Sequence, residues 1–338
     1  MPATVDALVE DLSSRDRTVR WAAKDALLAL GPRELDQLLP YTLDRRARGP
    51  RREVQSIIEL MGDAVLPRLR EIRREGPGRL RGNALEILIN LGGADVLDEV
   101  DRRVVERLVR IKLLDERPVG TPSEAGRWLA FPADRLDDAV AALGLHDLRP
   151  VTTVMGMAAA TRAADALDFQ GRPASQSEIQ RAYRVFITPE FESWLADGPI
   201  KNWRMLWGNS FLDELDGFRL ARELSERCGE AHFYVLDPYN SAENWYVARD
   251  GRRVRSYGSY DYPQFTGDPL PFEAWYMENA DEDEAEEYSE GVPHASQAAD
   301  NLSVEPGPQL AEHTHGHGWL ATTHPAVPTT RFKGALPV

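Results

Sequence analysis

The chain has 338 residues, 42% of them hydrophobic and 28% charged, and a net charge of −15 at neutral pH. That length has room for two domains with cores of their own, and the composition is that of a folded chain. Lys and Arg number 40 against 55 Asp and Glu, which speaks against a general nucleic-acid coat, because phosphate binding needs a basic surface. The single cysteine, Cys228, excludes an intramolecular disulfide and any multi-cysteine metal cluster.

No apolar run approaches the roughly 18 residues of a membrane span. The acidic start (Asp6, Glu10, Asp11) has neither the basic nor the apolar region of a signal peptide. A cytoplasmic protein without membrane contact is expected. Residues 1–117 carry 22 basic and 21 acidic side chains, which leaves 18 and 34 for the remainder. Of the 28 aromatic residues, 20 fall between Tyr183 and Tyr276. A neutral, Leu/Ala/Arg-rich front and an acidic, aromatic-rich back predict two domains of different class, 1–116 and 117–338. The boundary falls in Glu116–Pro122, where Pro118, Gly120 and Pro122 interrupt the periodicity.

In the front domain Leu30-Gly31, Met61-Gly62 and Leu91-Gly92 align at offsets of 31 and 30. Ala23 then matches Val54 and Ala84, Ala26 matches Ile57 and Ile87, and Leu27 matches Ile58 and Leu88. Spacings of three and four place these on one helical face, and each glycine fits the left-handed residue that closes a helix. A first amphipathic helix precedes each of these, through Val5–Leu12, Leu35–Leu43 and Val65–Ile72, and a last one runs from Val96 to Leu113. Two helices per repeat of about 30 residues predict an α-solenoid. The stretch Ala7–Gly31, with Asp16, Val19, Arg20, Ala23, Ala26, Leu30 and Gly31 in their places, resembles a bacterial HEAT-like repeat. The second and third repeats depart from it, with Pro50 and Leu80 where Val19 stands. The resemblance implies a stack that binds other proteins and says nothing of chemistry.

Arg20, Arg51 and Arg81 are equivalent across the repeats. The expectation is that each pairs with an Asp of the neighbouring repeat and fixes the stacking. The sharper alternative adds Arg45, Arg46, Arg48 and their neighbours and makes a groove for an acidic partner. Interspersed acids and the near-zero domain charge weigh against nucleic acid there.

The back domain reads as α+β with a mainly antiparallel or mixed sheet. Strands are expected at 127–131, 151–157, 184–188, 203–207, 231–236 and 318–323, with helices at 134–143 and 212–227. Asp250-Gly251 signals a primed hairpin turn that pairs Trp245 with Ser256, Tyr246 with Arg255 and Val247 with Val254. That register makes Tyr246 and Arg255 a cation–π pair on the face opposite Trp245 and Val247. Eight acids without a base between Glu278 and Glu290 predict a solvated acidic loop near 278–300.

Chemistry-bearing motifs are few. His313, His315 and His317 would point to one side of a strand and form a weak candidate for a zinc or nickel ion, although no acidic motif accompanies them. Cys228 falls on the apolar stripe of a helix, the place of a packed thiol. Trp203, Trp207, Asp237, Asn240 and Trp245 gather aromatic and polar groups into a candidate contact surface, with Asp237–Ser241 reading more simply as an Asx turn. No cofactor is implied. The functional expectation is a non-catalytic interaction or scaffold protein with a protein partner, in one version an immunity or antitoxin-like protein whose acidity suits a basic toxin. The alternative is a small-molecule-binding enzyme or sensor with its pocket among those same aromatic residues and His232.

Overall fold

The structure, a computed structural model, describes residues 4–43, 48–114, 126–160, 165–167, 180–193, 201–207, 211–212, 215–237, 240, 242–259, 264–274, 294–307 and 313–329. The expected boundary at 116–122, the acidic run to Glu290, Arg45 and Arg46 lie outside these. The chain divides into two compact units, Met1–Val109 with Thr330–Val338, and Arg110–Thr329.

The first unit is helical. Its elements are α1 (Val5–Asp11), α2 (Arg17–Leu30), α3 (Leu35–Leu38), α4 (Arg48–Leu60), α5 (Leu66–Glu75), α6 (Gly78–Gly92) and α7 (Glu99–Leu114), whose last turn passes into the second unit. Asp16 starts α2 by accepting the Thr18 N–H at 2.8 Å, and Gly31 ends it at φ 75°. The repeat positions are buried as their spacing requires: Ala23, Val54 and Ala84, then Leu27, Ile58 and Leu88, each at 2% exposure or less. Through them α2 packs on α4 and α4 on α6. The third register closes one residue later than expected, at Gly93 with φ 58°.

Polar links join neighbouring registers at close to the repeat length. Arg68 binds Asp36, Arg73 binds Asp101 at 2.6 Å, and Asn90 donates to Glu59 at 2.9 Å, at separations of 32, 28 and 31 residues. The equivalent arginines do something else. Arg20 donates to the carbonyls of Ser14 and Arg15, and Arg81 donates to that of Gly76 at 2.7 Å. Arg15 and Gly76 stand at the same register position, so these arginines clamp the turn before their own helix. The expected pairing with an Asp of the next repeat is not what Arg20 and Arg81 make. The position that would match for Arg51, residue 46, lies outside the described residues.

The second unit is built on an antiparallel sheet. Its strands are β1 (Gly126–Pro132), β2 (His146–Val151), β5 (Arg184–Ile187), β6 (Glu190–Ser193), β7 (Lys201–Trp207), β8 (Glu230–Asp237), β9 (Ala242–Arg249), β10 (Arg252–Gly258), β11 (Gln264–Thr266), β12 (Thr314–His315) and β13 (Gly318–Thr322). The order is β11-β10-β9-β8-β1-β7-β5-β13-β2, with β6 on β7 and β12 on β6; β3 (Asp165–Leu167) and β4 (Gln180–Ala182) form a separate ribbon. Every pairing is antiparallel. One face carries Leu129, Phe131, Val185, Ile187, Leu206 and Phe233, covered by α8 (Leu136–Ala142) and α10 (Gly217–Cys228). The opposite face meets α9 (Thr153–Ala160) over β5 and β13, and α11 (Ala295–Leu302) over β8 and β9.

Two expectations are corrected. Val151 ends β2, but residues 152–157 are not a strand: Thr152 Oγ1 accepts the Met155 N–H at 3.3 Å and opens α9, in which Gly156 lies against Phe186. The hairpin turns at Asp250-Gly251, both with positive φ, but a bulge between Arg253 and Arg255 shifts the register so that Arg255 faces Val247 and Ser256 faces Tyr246. Arg255 is thereby turned inward. It binds Glu273 through Nε at 3.1 Å and Nη2 at 2.6 Å and lies over Phe265, so it makes no pair with Tyr246.

A Cβ at Gly156 would fall 2.0 Å from the Phe186 ring. Gly156→Ala should therefore lower the free energy of unfolding by about 1–3 kcal/mol in chemical denaturation, the usual cost of overpacking.

Candidate functional site

The residues expected to form a contact surface are mostly interior. Trp203, Trp207 and Trp245 are 1%, 5% and 0% exposed, so they serve as core and not as anchors for a partner. Strand alternation alone leaves open which face is wet; here the face that carries these indoles is covered. Asp237 and Asn240 close on each other, with the Asn240 N–H and Nδ2 donating to the two Asp237 oxygens at 3.2 and 2.7 Å. These bonds tie Asp237 and Asn240 to each other.

On that same face lies a chain of buried polar groups. Ser303 Oγ stands 2.9 Å from Tyr234 Oη, which is 3.2 Å from His232 Nδ1, and His232 Nε2 is 3.2 Å from Glu230 Oε1. Glu230 is held in turn by Lys201 Nζ at 2.6 Å and Arg249 Nε at 2.9 Å. Trp203 covers the His232 ring at 4.9 Å and Trp128 stacks on Tyr234 at 5.1 Å. Burial pushes the His232 imidazole below its ordinary value, against the pull of Glu230. Burial acts to raise the Glu230 carboxyl, but His232 and Lys201 outweigh it and hold the group below its usual range. Burial raises the Tyr234 phenol. The result is a hydrogen-bond chain that links Ser303, Tyr234, His232 and Glu230 and whose hydroxyls are closed off from solvent. It fixes α11 to the sheet. The alternation Glu230-x-His232-x-Tyr234 was legible as one strand face; Ser303, 69 residues away from Tyr234, was not.

The three histidines do not converge. β12 spans only Thr314 and His315, and Gly316 at φ 75° turns the chain before His317, which breaks the alternation that would have aligned them. His315 lies 3.9 Å from Glu192, while His317 sits on Trp319. Among the described residues no group of three His, Cys, Asp or Glu is placed to hold a metal. Cys228 is buried in the α10 core, and burial pushes its thiol up to about 12, far from a nucleophile's range.

The helical unit offers surface features instead. A groove of about 390 Å³ opens between α3 and α5, with Leu39, Ile72 and Leu80 at its apolar base and Asp36, Glu71 and Glu75 around it. Trp21 on α2 is 59% exposed, with the Arg17 guanidinium 4.5 Å from its ring. Trp21 stands at the register position that Arg52 and Gly82 fill in the other helix pairs.

No family model matches the chain, and no curated protein or solved structure matches it.

The N-terminus of α11 generates a pH dependence. Glu243 Oε2 accepts from His294 Nδ1 at 3.0 Å and from the Ala295 N–H at 2.9 Å. Its hydrogen bond to Glu243, opposed by burial, raises the His294 pKa; burial would raise Glu243, but His294 and the Ala295 amide lower it. The pair therefore stabilises fully between the ordinary values of a glutamate and a histidine, about pH 4.5 to 6.5. Its contribution is lost as pH rises through the raised His294 value, and again as pH falls through the depressed Glu243 value. His294→Gln should cost about 1 kcal/mol near pH 6, a figure kept small by solvent screening at the partly exposed ring, and markedly less at pH 9. Denaturant melts of both chains at the two pH values check this.

Proposed function

We propose that this protein is a non-catalytic interaction or scaffold protein whose helical unit is a short HEAT-like α-solenoid that docks a protein partner. Stacked helix pairs give a continuous surface, each register adding a further stripe of side chains at a fixed spacing. The observation that carries the reading is Trp21, a large side chain left 59% exposed on the helix whose other face makes the register contacts. Exposed Leu60 and Val100 lie on later helices of the same unit. Tryptophan is the side chain most enriched at binding hot spots, where it supplies apolar area at little entropic cost.

The partner class follows from charge. The acidic excess falls on residues 118–338, with 34 acids against 18 bases, and favours encounter with a basic protein. An immunity or antitoxin-like role in the cytoplasm, blocking a basic toxin, is the concrete form of the proposal.

Affinity capture with the full chain from its native host, quantified by mass spectrometry, should recover one protein in stoichiometric amount. Trp21→Asp should lower that recovery by about tenfold or more. Capture that yields no stoichiometric protein contradicts the docking role.

A further inference from the structure

We propose that a second copy of this chain covers the outer face of α7, the two helices pairing antiparallel about a two-fold axis beside Val104. This pairing does not depend on the docking of a partner, which is carried by Trp21 on α2.

Four of the ten exposed large apolar side chains among the described residues lie on α7, so exposed apolar surface is concentrated on one helix. Val100, Val104, Ile111 and Leu114 are 70%, 37%, 52% and 87% exposed. Together with Arg107 they follow spacings of four, three, four and three, which is the seam of a paired helix. The inner face of α7 is already in use. Val105 and Val109 are buried, and Asp101 binds Arg73 of α5 at 2.6 Å. The helix thus carries one apolar face packed within its own unit and a second in water, where each Å² costs about 25 cal/mol.

The charges beside the seam name the occupant. Glu99, Arg103, Glu106 and Arg110 border it at spacings of four, three and four, all of them exposed. This order of acid, base, acid and base becomes its own complement when the helix is reversed. In the register where Arg103 faces Glu106 of the second copy, Arg110 faces Glu99 of the second copy, and each contact recurs by symmetry. The same register sets Val104 beside Val104 of the second copy and Val100 beside Ile111 of the second copy. Apolar and charged matches therefore fall together. Glu99 already accepts from Arg103 of its own chain at 3.0 Å, an exposed contact that Arg110 of the second copy extends. A parallel pair would set Arg107 against Arg107 at one level. An acidic helix from another protein would suit the arginines but would meet Glu99 and Glu106 with like charge.

The test uses the full chain. Sedimentation velocity between about 1 and 200 µM, a range suited to a short seam, should pass from 37.9 kDa toward twice that mass. Val104→Glu, beside the axis, should weaken the dimer by about tenfold or more. Arg103→Glu and Glu106→Arg should each weaken it by about fivefold, and the two together should restore it to within about threefold of the parent chain. In a Cys228→Ala background a short bismaleimide should join Val104→Cys chains and leave Leu114→Cys chains unjoined, since those positions lie about 28 Å apart in this register. A chain that stays monomeric over the whole range overturns the proposal, as does a dimer indifferent to Val104→Glu. A double variant no tighter than the single ones, or ready joining at Leu114→Cys, overturns the antiparallel pairing.

Discussion

The helical unit depends on burying the same two positions in every register. Ala23 with Leu27, Val54 with Ile58 and Ala84 with Leu88 are withdrawn from water, each large aliphatic side chain contributing about 2 kcal/mol. The second helices cover one another in turn, α2 packing on α4 and α4 on α6. The polar links follow from that packing. Arg68–Asp36, Arg73–Asp101 and Asn90–Glu59 span about one repeat because the apolar contacts have already brought those turns together. Arg68 and Asp36 are well exposed, so solvent screens their pair and it sets alignment more than it adds stability, whereas Arg73 meets a buried Asp101. Arg20 and Arg81 act one level lower, holding the turn that delivers each second helix at its angle.

In the second unit the antiparallel sheet divides its aromatic residues between two covered faces. One face is an aliphatic and aromatic core beneath α8 and α10. The other carries Trp128, Trp203, Tyr234 and Trp245, with His232 among them. A fully buried imidazole is tolerable because both of its nitrogens are satisfied, and a buried carboxylate because Lys201 and Arg249 share its charge. A chain of this kind has one satisfied arrangement, which favours a rigid sheet with α11 fixed against it.

Much of the fold was legible because it rests on local periodicity. The stripes of α2, α4 and α6, the Asp250-Gly251 turn and the strands at Trp128, Met205 and Phe233 follow from spacings of three and four, from positive φ and from alternation. What was not legible depends on tertiary context. The stretch after Val151 is apolar enough for a strand and is a helix, in which Gly156 comes so near Phe186 that a Cβ would fall 2.0 Å from the ring. One extra residue at Val254 moves Arg255 from an exposed partner of Tyr246 to a buried partner of Glu273. The candidate surface failed for a related reason: nothing in Trp203, Trp207 or Trp245 says whether another layer covers their face. Trp21 and the α3–α5 groove become visible only once the helices are stacked.

The stacking itself is open to direct measurement. Positions 21, 52 and 82 are equivalent, exposed and carried on α2, α4 and α6, and a side chain at Gly82 meets nothing within 4 Å. Nitroxide labels can be placed pairwise through Trp21→Cys, Arg52→Cys and Gly82→Cys in a Cys228→Ala background, which leaves no other thiol to label. Helices stacked at 8–10 Å per register predict dipolar broadening from about 10 Å for the 21–52 and 52–82 pairs and a separation of about 20 Å for 21–82. An outer pair no farther apart than the inner pairs, or inner pairs too distant to broaden, would contradict a repeat stack.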